Sequence, residues 1–293
     1  GTRARATRGN TSGDDNLRLT SAGAIMIDAA SSAGENIIIQ AGSLTANTLN
    51  SLFDITVTAN GTGTGILNIG SATAGRDIGM SGPSLTLNLT SANAGRAMAL
   101  SATGGDLVVA GDLNSDSNMT LRASGAMRFT NATSTGGHLD AQAGTALNFT
   151  NADGAQLSLQ GATITGTRAR ATRGNTSGDD NLRLTSAGAI MVDTASSAGE
   201  NIIIQAGSLT ANTLNSLFDI TVTGTGALTI GSATAGRNIA MTGPTLNLTN
   251  ANAGSTMALT TTTGNLVAGM LTSASTLTLN ANQELRFTSA SST

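Results

Sequence analysis

Apolar and polar residues alternate along this chain in short runs separated by clusters of small residues. LRLT from Leu17, AIMID from Ala24, NIIIQ from Asn36, LTANTL from Leu44 and DITVTA from Asp54 come first, with SAG, SSAGE, AGS and NSLF between them. A period of two marks a strand with one buried face, and Ser, Ala, Gly and Asn clusters supply turns. The pattern continues through ILNIG at Ile66, DIGMS at Asp77, LTLNLT at Leu85 and AMALS at Ala97, then DLVVAG, NMTLRA, AMRFT, HLDAQAG, ALNFT, QLSLQG and ATITG. No stretch carries a helical apolar period with caps.

The pattern also repeats over long range. Gly1 to Thr58 returns as Gly166 to Thr223, changed only where Ile27 becomes Val192 and Ala29 becomes Thr194. Two strands and two turns consume about 20 residues, the size of one solenoid coil. Strands this short and lightly apolar make no globular core alone. Stacked in parallel at about 4.8 Å per layer, their inward Leu, Ile, Val and Met form a continuous column. The predicted fold is therefore all-β, a right-handed parallel β-helix (β-solenoid) with coils of about 20 residues, the hand being the default for parallel crossovers. Residues 1–165 read as the first long repeat and 166–293 as a second, truncated copy continuing the same solenoid.

Differences between the copies agree with this grid. ANGTGTGI shortens to GTGAL in a Gly-rich turn, and SLTLNLT becomes TLNLT, a loss of two residues that leaves every remaining side chain on its face. VVAG becomes VAG, the loss of one of two adjacent Val, which is expected at a coil corner. Asp112, Asp116 and Arg122 correspond to Met270, Ala274 and Asn280, while Leu113, Leu121 and Phe129 meet Leu271, Leu279 and Phe287. The repeat holds packing constant and lets polar decoration vary.

Composition narrows function. Charged residues are 11% of the chain and the net charge is −3, with all 14 basic residues Arg. Nucleic acid and anionic membranes reward clustered cations, so neither is an expected partner, and no apolar run is long enough to span a bilayer. With aromatics at 2% and no Trp or Tyr, there are few flat faces for stacking bases or sugars. The absence of Cys removes disulfides and thiolate metal sites. The chain does not start with Met and its second copy stops partway through the repeat, which reads as an excerpt of a longer polypeptide.

Candidate chemistry is sparse. His138 in GGHLDAQAG is the sole histidine and reads as an exposed or hydrogen-bonded strand residue. Gly61, Gly63 and Gly65 resemble a phosphate-cradling loop, yet a strand follows them, the second copy keeps only Gly224 and Gly226, and no Lys is present. They read as a turn. Asp14, Asp15 and their twins Asp179 and Asp180 lack the calcium-repeat spacing and are expected to pair with Arg3, Arg5 or Arg8 of a neighbouring coil. Arg3, Arg5 and Arg8, with Arg168, Arg170 and Arg173, form the one candidate interaction patch, a cationic spot repeated once per copy that suits anionic glycans or an acidic face of another solenoid. Asn-x-Ser/Thr triplets recur at Asn10, Asn60, Asn88, Asn118, Asn131 and Asn148, as chance allows in so Asn- and Thr-rich a chain. No catalytic, metal or cofactor site is expected.

Phrases such as NLRLTSAGAIMID, AGENIIIQAGSL and GGDLVVAGDL resemble the haemagglutination-activity repeats of filamentous haemagglutinin and other large two-partner-secretion exoproteins, with autotransporter passenger domains as close cousins. The resemblance implies a right-handed parallel β-helix at the bacterial surface or outside the cell. It implies a non-enzymatic rod in a giant adhesin or fibre serving attachment, aggregation or biofilm. Implied partners are further copies of the repeat, in the same chain or end to end, and host or neighbouring-cell glycans or proteins. A self-assembling filament, a polysaccharide-acting β-helix enzyme and an ice-binding solenoid are the alternatives.

Overall fold

The structure, a computed structural model, describes residues 3–6, 17–32, 36–60, 65–82, 85–172, 181–199 and 201–293. Among these residues every regular element is a β-strand, and all the strand pairings are parallel. The chain divides into two compact units, Gly1–Phe149 and Thr150–Thr293.

In the first unit, short strands alternate along the chain with longer ones. The short strands Ile37–Ala41, Ile55–Ala59, Ile78–Gly82, Met98–Ala102 and Met119–Ala123 stack on one another, with Ile37 beside Ile55, Ile55 beside Ile78, Ile78 beside Met98 and Met98 beside Met119. The longer strands Ala24–Ser32, Ser43–Ser51, Gly65–Ala74, Leu85–Ala94 and Leu107–Ser115 stack likewise, with Leu44, Leu67, Leu87 and Leu107 in one column. Each strand therefore pairs with the strand one coil away, about 20 residues along, as the β-solenoid requires. The second unit repeats the scheme. Leu182, Ile202, Ile220, Ile239, Met257 and Leu277 form its short-strand column, and Leu209, Leu228, Leu246, Leu266 and Leu285 its long-strand column.

The longer strands are bent. In Ser43–Ser51 the inward residues are Leu44 and Ala46, then Leu49 and Ser51, so the buried set changes parity in mid-strand. Pairing with the next coil passes over one residue there, leaving Asp28, Asn47 and Gly70 in a corner column of their own. Asp193, Asn212 and Gly231 occupy the same corner of the second unit. Asn47 donates to Asp28 at 2.6 Å, and Asn212 donates to Asp193. Next in the column comes glycine, because a Cβ on Gly70 would lie 2.4 Å from the Asn47 carbonyl oxygen and one on Gly231 would lie 2.6 Å from that of Asn212.

Inward Ile, Leu, Val and Met of both columns are almost all inaccessible to solvent. Each such side chain fully withdrawn from water contributes about 1.5–3 kcal/mol. The largest inward residues of the first unit, Phe129 and Phe149, stack at 5.6 Å with planes 19° apart. The unequal repeat lengths fit this frame. Leu85–Ala94 is 10 residues long where Leu246–Ala253 is 8, so the two extra residues lengthen the start of a strand without turning its face. The VVAG difference does fall at the corner, although the surplus residue is not a valine. Val109 and Ala268 both point inward, and two residues, Ala110 and Gly111, round the bend that Gly269 rounds alone.

Candidate functional site

Because every coil presents the same few outward positions, the exterior is a set of columns rather than a pocket. The arginine patch lies on one of these. Arg3 and Arg5 sit two residues apart on the strand Arg3–Ala6 and point outward, as do Arg168 and Arg170 on Thr163–Ala171. Arg3 and Arg5 overhang a hollow of about 380 Å³ lined by Ala29, Ser31, Thr48 and Asn50. Arg168 is not free: its Nη2 donates to Asp153 Oδ2 at 2.7 Å, a carboxylate on the strand Ala146–Gly161. That partner differs from the expected Asp179 and Asp180. Those two, with Asp14, Asp15, Arg8 and Arg173, lie outside the described residues. The patch is thus partly neutralised in the second unit, which weakens it as a repeated anion site.

The turn after each long strand carries a second, more ordered column. Asn36 Oδ1 accepts from the backbone N–H of Asp54 at 3.0 Å, Asp54 Oδ1 from that of Asp77 at 3.1 Å, and Asp77 Oδ1 from that of Ala97 at 2.9 Å. In the second unit Asn201 accepts from Asp219, Asp219 from Asn238 and Asn238 from Thr256 in the same way. Each side-chain oxygen ties its own coil to the amide of the next at a place where the strand ladder is interrupted. Asp or Asn serves equally because both present a carbonyl-type oxygen.

On this column sit the best-defined ion pairs. Arg76 Nε and Nη2 grip Asp54 at 3.1 and 2.5 Å while the guanidinium lies 4.9 Å over the Phe53 ring. Arg237, Asp219 and Phe218 repeat the arrangement, with the guanidinium 4.6 Å from the ring centre. Hydrogen bonding from Arg76 holds the Asp54 carboxyl below its ordinary range, helped by the Asp77 amide and by the Arg76 and Arg96 charges and opposed by burial. The sequence signal was present in the recurring LFD and AGRD or AGRN turns, but the partners are about a coil apart and meet only once stacking is known.

The remaining candidates are structural. His138 is half-buried in Met127–Ala143, and its N–H donates to Asn118 Oδ1 at 2.9 Å. Burial lowers the pKa of its ring, with Asp140 opposing and Arg122 assisting. Gly65 opens a strand and Gly224 closes one, Gly226 lies in a turn, and Gly61 and Gly63 are outside the described residues. Among the Asn-x-Ser/Thr triplets, Asn88 donates to Asn68 at 2.8 Å and Asn131 to Asp112 at 2.6 Å, so both belong to side-chain ladders. Asn148 points outward, and Asn10 is outside the described residues. No group of three or more His, Cys, Asp or Glu placed to hold a metal occurs among the described residues, and none of their helices could cross a membrane, since they contain none. Comparison with protein-family models, with curated proteins and with solved structures matches none of them to this chain.

Proposed function

We propose that this chain is a non-enzymatic extracellular segment of a large, repetitive bacterial surface adhesin or fibre, working through weak contacts multiplied along stacked coils. The observation that supports this reading most is the division of labour between inside and outside. Inward Leu, Ile and Met recur from copy to copy, and outward positions are mainly Thr, Ser and Asn held in register by parallel pairing. Such an exterior offers many equivalent shallow contacts, and linking weak sites on one scaffold raises avidity without any single strong site. Chemistry, by contrast, relies on a few perturbed groups converging in a cleft; the ion pairs among the described residues are scattered over separate coils, and Arg76–Asp54 and Arg237–Asp219 tie neighbouring turns together.

The test is display of the chain on cells that do not otherwise attach, with attachment and aggregation counted under flow. Display is expected to raise attachment relative to an unrelated displayed domain of similar length. No rise on any tested surface would contradict the reading.

A further inference from the structure

The turn edge of the first unit carries a groove of about 610 Å³ that runs across successive coils rather than along a strand. Its floor is the column Asn50, Thr73 and Asn93, neighbours by strand pairing, together with the backbone of Gly75 and Gly95. Leu52, 55% exposed, stands at one side and Asp116 at the far end. Asn50, Thr73 and Asn93 are exposed, and their side chains have no hydrogen-bond partner among the described residues, unlike the laddered Asn47, Asn88 and Asn131.

Outward neighbours drift between copies even where a side-chain contact holds them in the first: Asn68, Arg96 and Asp112, each with a partner, become Thr229, Ser255 and Met270, and Ser91 becomes Asn250. The three groove positions do not drift, although the next position of their column does, Asn114 becoming Thr272. Asn215, Thr234 and Asn252 repeat them in the second unit, again exposed, again one coil apart and again beside an exposed leucine, Leu217. The glycines have an internal reason to persist, since a Cβ on Gly75 would meet the Leu52 carbonyl oxygen at 2.0 Å. No side-chain contact accounts for the amides and hydroxyl, and two of them, Thr73 and Asn93, lie beyond the near-identical stretch Gly1 to Thr58.

We propose that this track binds an uncharged glycan chain lying along the direction of coil stacking. An amide both donates and accepts, as a sugar hydroxyl does, and one such group recurs every coil, at about 4.8 Å. The leucine offers an apolar surface to the C–H face of a ring. Asp116 is the sole charged residue among the described residues that line the groove, and it disfavours a polyanion; Arg5 and Arg170 of the same columns lie two coils away from Asn50 and Asn215. An extended peptide fits less well, because strand edges here are occupied by neighbouring coils and strand addition needs a free one. Without aromatic platforms each contact is weak, so binding depends on long chains and on both copies. This inference rests on the attachment reading and names its ligand class and site.

The test is retention of the whole chain on insoluble cellulose, chitin, β-1,3-glucan and mannan, with immobilised heparin as the anionic probe, at low and high salt. Three proteins are compared with the wild type: N50A/T73A/N93A, N215A/T234A/N252A and the combined sixfold variant, each checked for unchanged circular dichroism. Retention on at least one neutral polymer, insensitive to salt, is expected, falling several-fold in either triple variant and by about tenfold or more in the sixfold variant. Absence of retention on every neutral polymer, salt-sensitive retention on heparin alone, or equal retention of the sixfold variant would overturn the inference. Cell attachment under flow is measured on the same proteins. A sixfold variant that attaches like wild type removes this groove and leaves the attachment reading standing, whereas a wild type that never attaches removes the reading beneath it.

Discussion

Replacing Asp54 separates the two interactions that meet on its carboxylate. Asp54→Asn keeps an oxygen for the Asp77 N–H and loses the charge that Arg76 grips; Asp54→Ala loses both. The ion pair is open to solvent on its arginine side, with that side chain 43% exposed, and such pairs add little to stability. An amide left half-buried without an acceptor costs about 1–3 kcal/mol. The protein already performs the asparagine exchange, since Asp77 of the first copy is Asn238 in the second and both accept from the next coil. Because a stack of coils unfolds locally, a global midpoint blurs the effect, and hydrogen exchange at the Asp77 amide is the better assay. Asp54→Ala is expected to accelerate that exchange about 5–150-fold and Asp54→Asn much less. Acid provides a second reading. The carboxyl is held below its ordinary value, so its contribution is complete above about pH 4 and is lost as pH falls through the lowered value. Asp54→Asn should lack that acid-dependent loss of protection. Equal exchange in the asparagine and alanine variants would refute the ladder as the stabilising contact.

Other outcomes follow from the same geometry. Gly75→Ala should destabilise its coil by about 1–3 kcal/mol because the new Cβ meets backbone, while Gly79→Ala, which meets nothing within 4 Å and is already Ala240 in the second copy, should be neutral or stabilising by about 0.4–1 kcal/mol; denaturant midpoints decide. Ile55→Ala, in a site with 0% exposure between Ile37 and Ile78, should cost about 2–5 kcal/mol, read as exchange in those three coils. His138 has a lowered pKa in the folded chain, so the unfolded chain binds its proton first; stability should decline as pH falls below about 6.5, and His138→Gln should remove that slope in denaturation across pH. Deleting Ala110 should be tolerated because Gly269 alone rounds the equivalent corner, and so should deleting Val109, which leaves the LVAG of the second copy with Ala110 inward as Ala268 is, whereas deleting Thr56 inside the strand Ile55–Ala59 turns part of that strand to the wrong face and should unfold the coil; denaturant midpoints decide.

The inward grid was legible because a period of two survives in sequence: Ile37 and Ile39, Ile55 and Val57, and Leu87 and Leu89 are buried where alternation puts them. The bends were harder. LTANTLNS alternates through Leu44 and Ala46 and then slips by one at Leu49, and a slip inside a continuous strand leaves no Gly or Pro to mark it. The coil-to-coil contacts were not legible at all, since Arg168 and Asp153 or Arg76 and Asp54 meet only once coil lengths are known, and those vary. Neither was the glycan track. Its members are ordinary Asn and Thr, distinguished by their free side chains and shared column, which only the stacked structure displays.

The register of the coils is the claim on which the rest depends, and a chain with no native cysteine lends itself to reading it directly. Cysteine pairs at Asn93 and Asn114, and at Asn252 and Thr272, place thiols on facing outward positions of adjacent coils. Both pairs should be joined rapidly by a short thiol cross-linker in the folded protein, while Asn93 paired with Leu113, which points inward, should not react. Efficient linkage of the offset pair, or none in the aligned pairs, would contradict the parallel stacking.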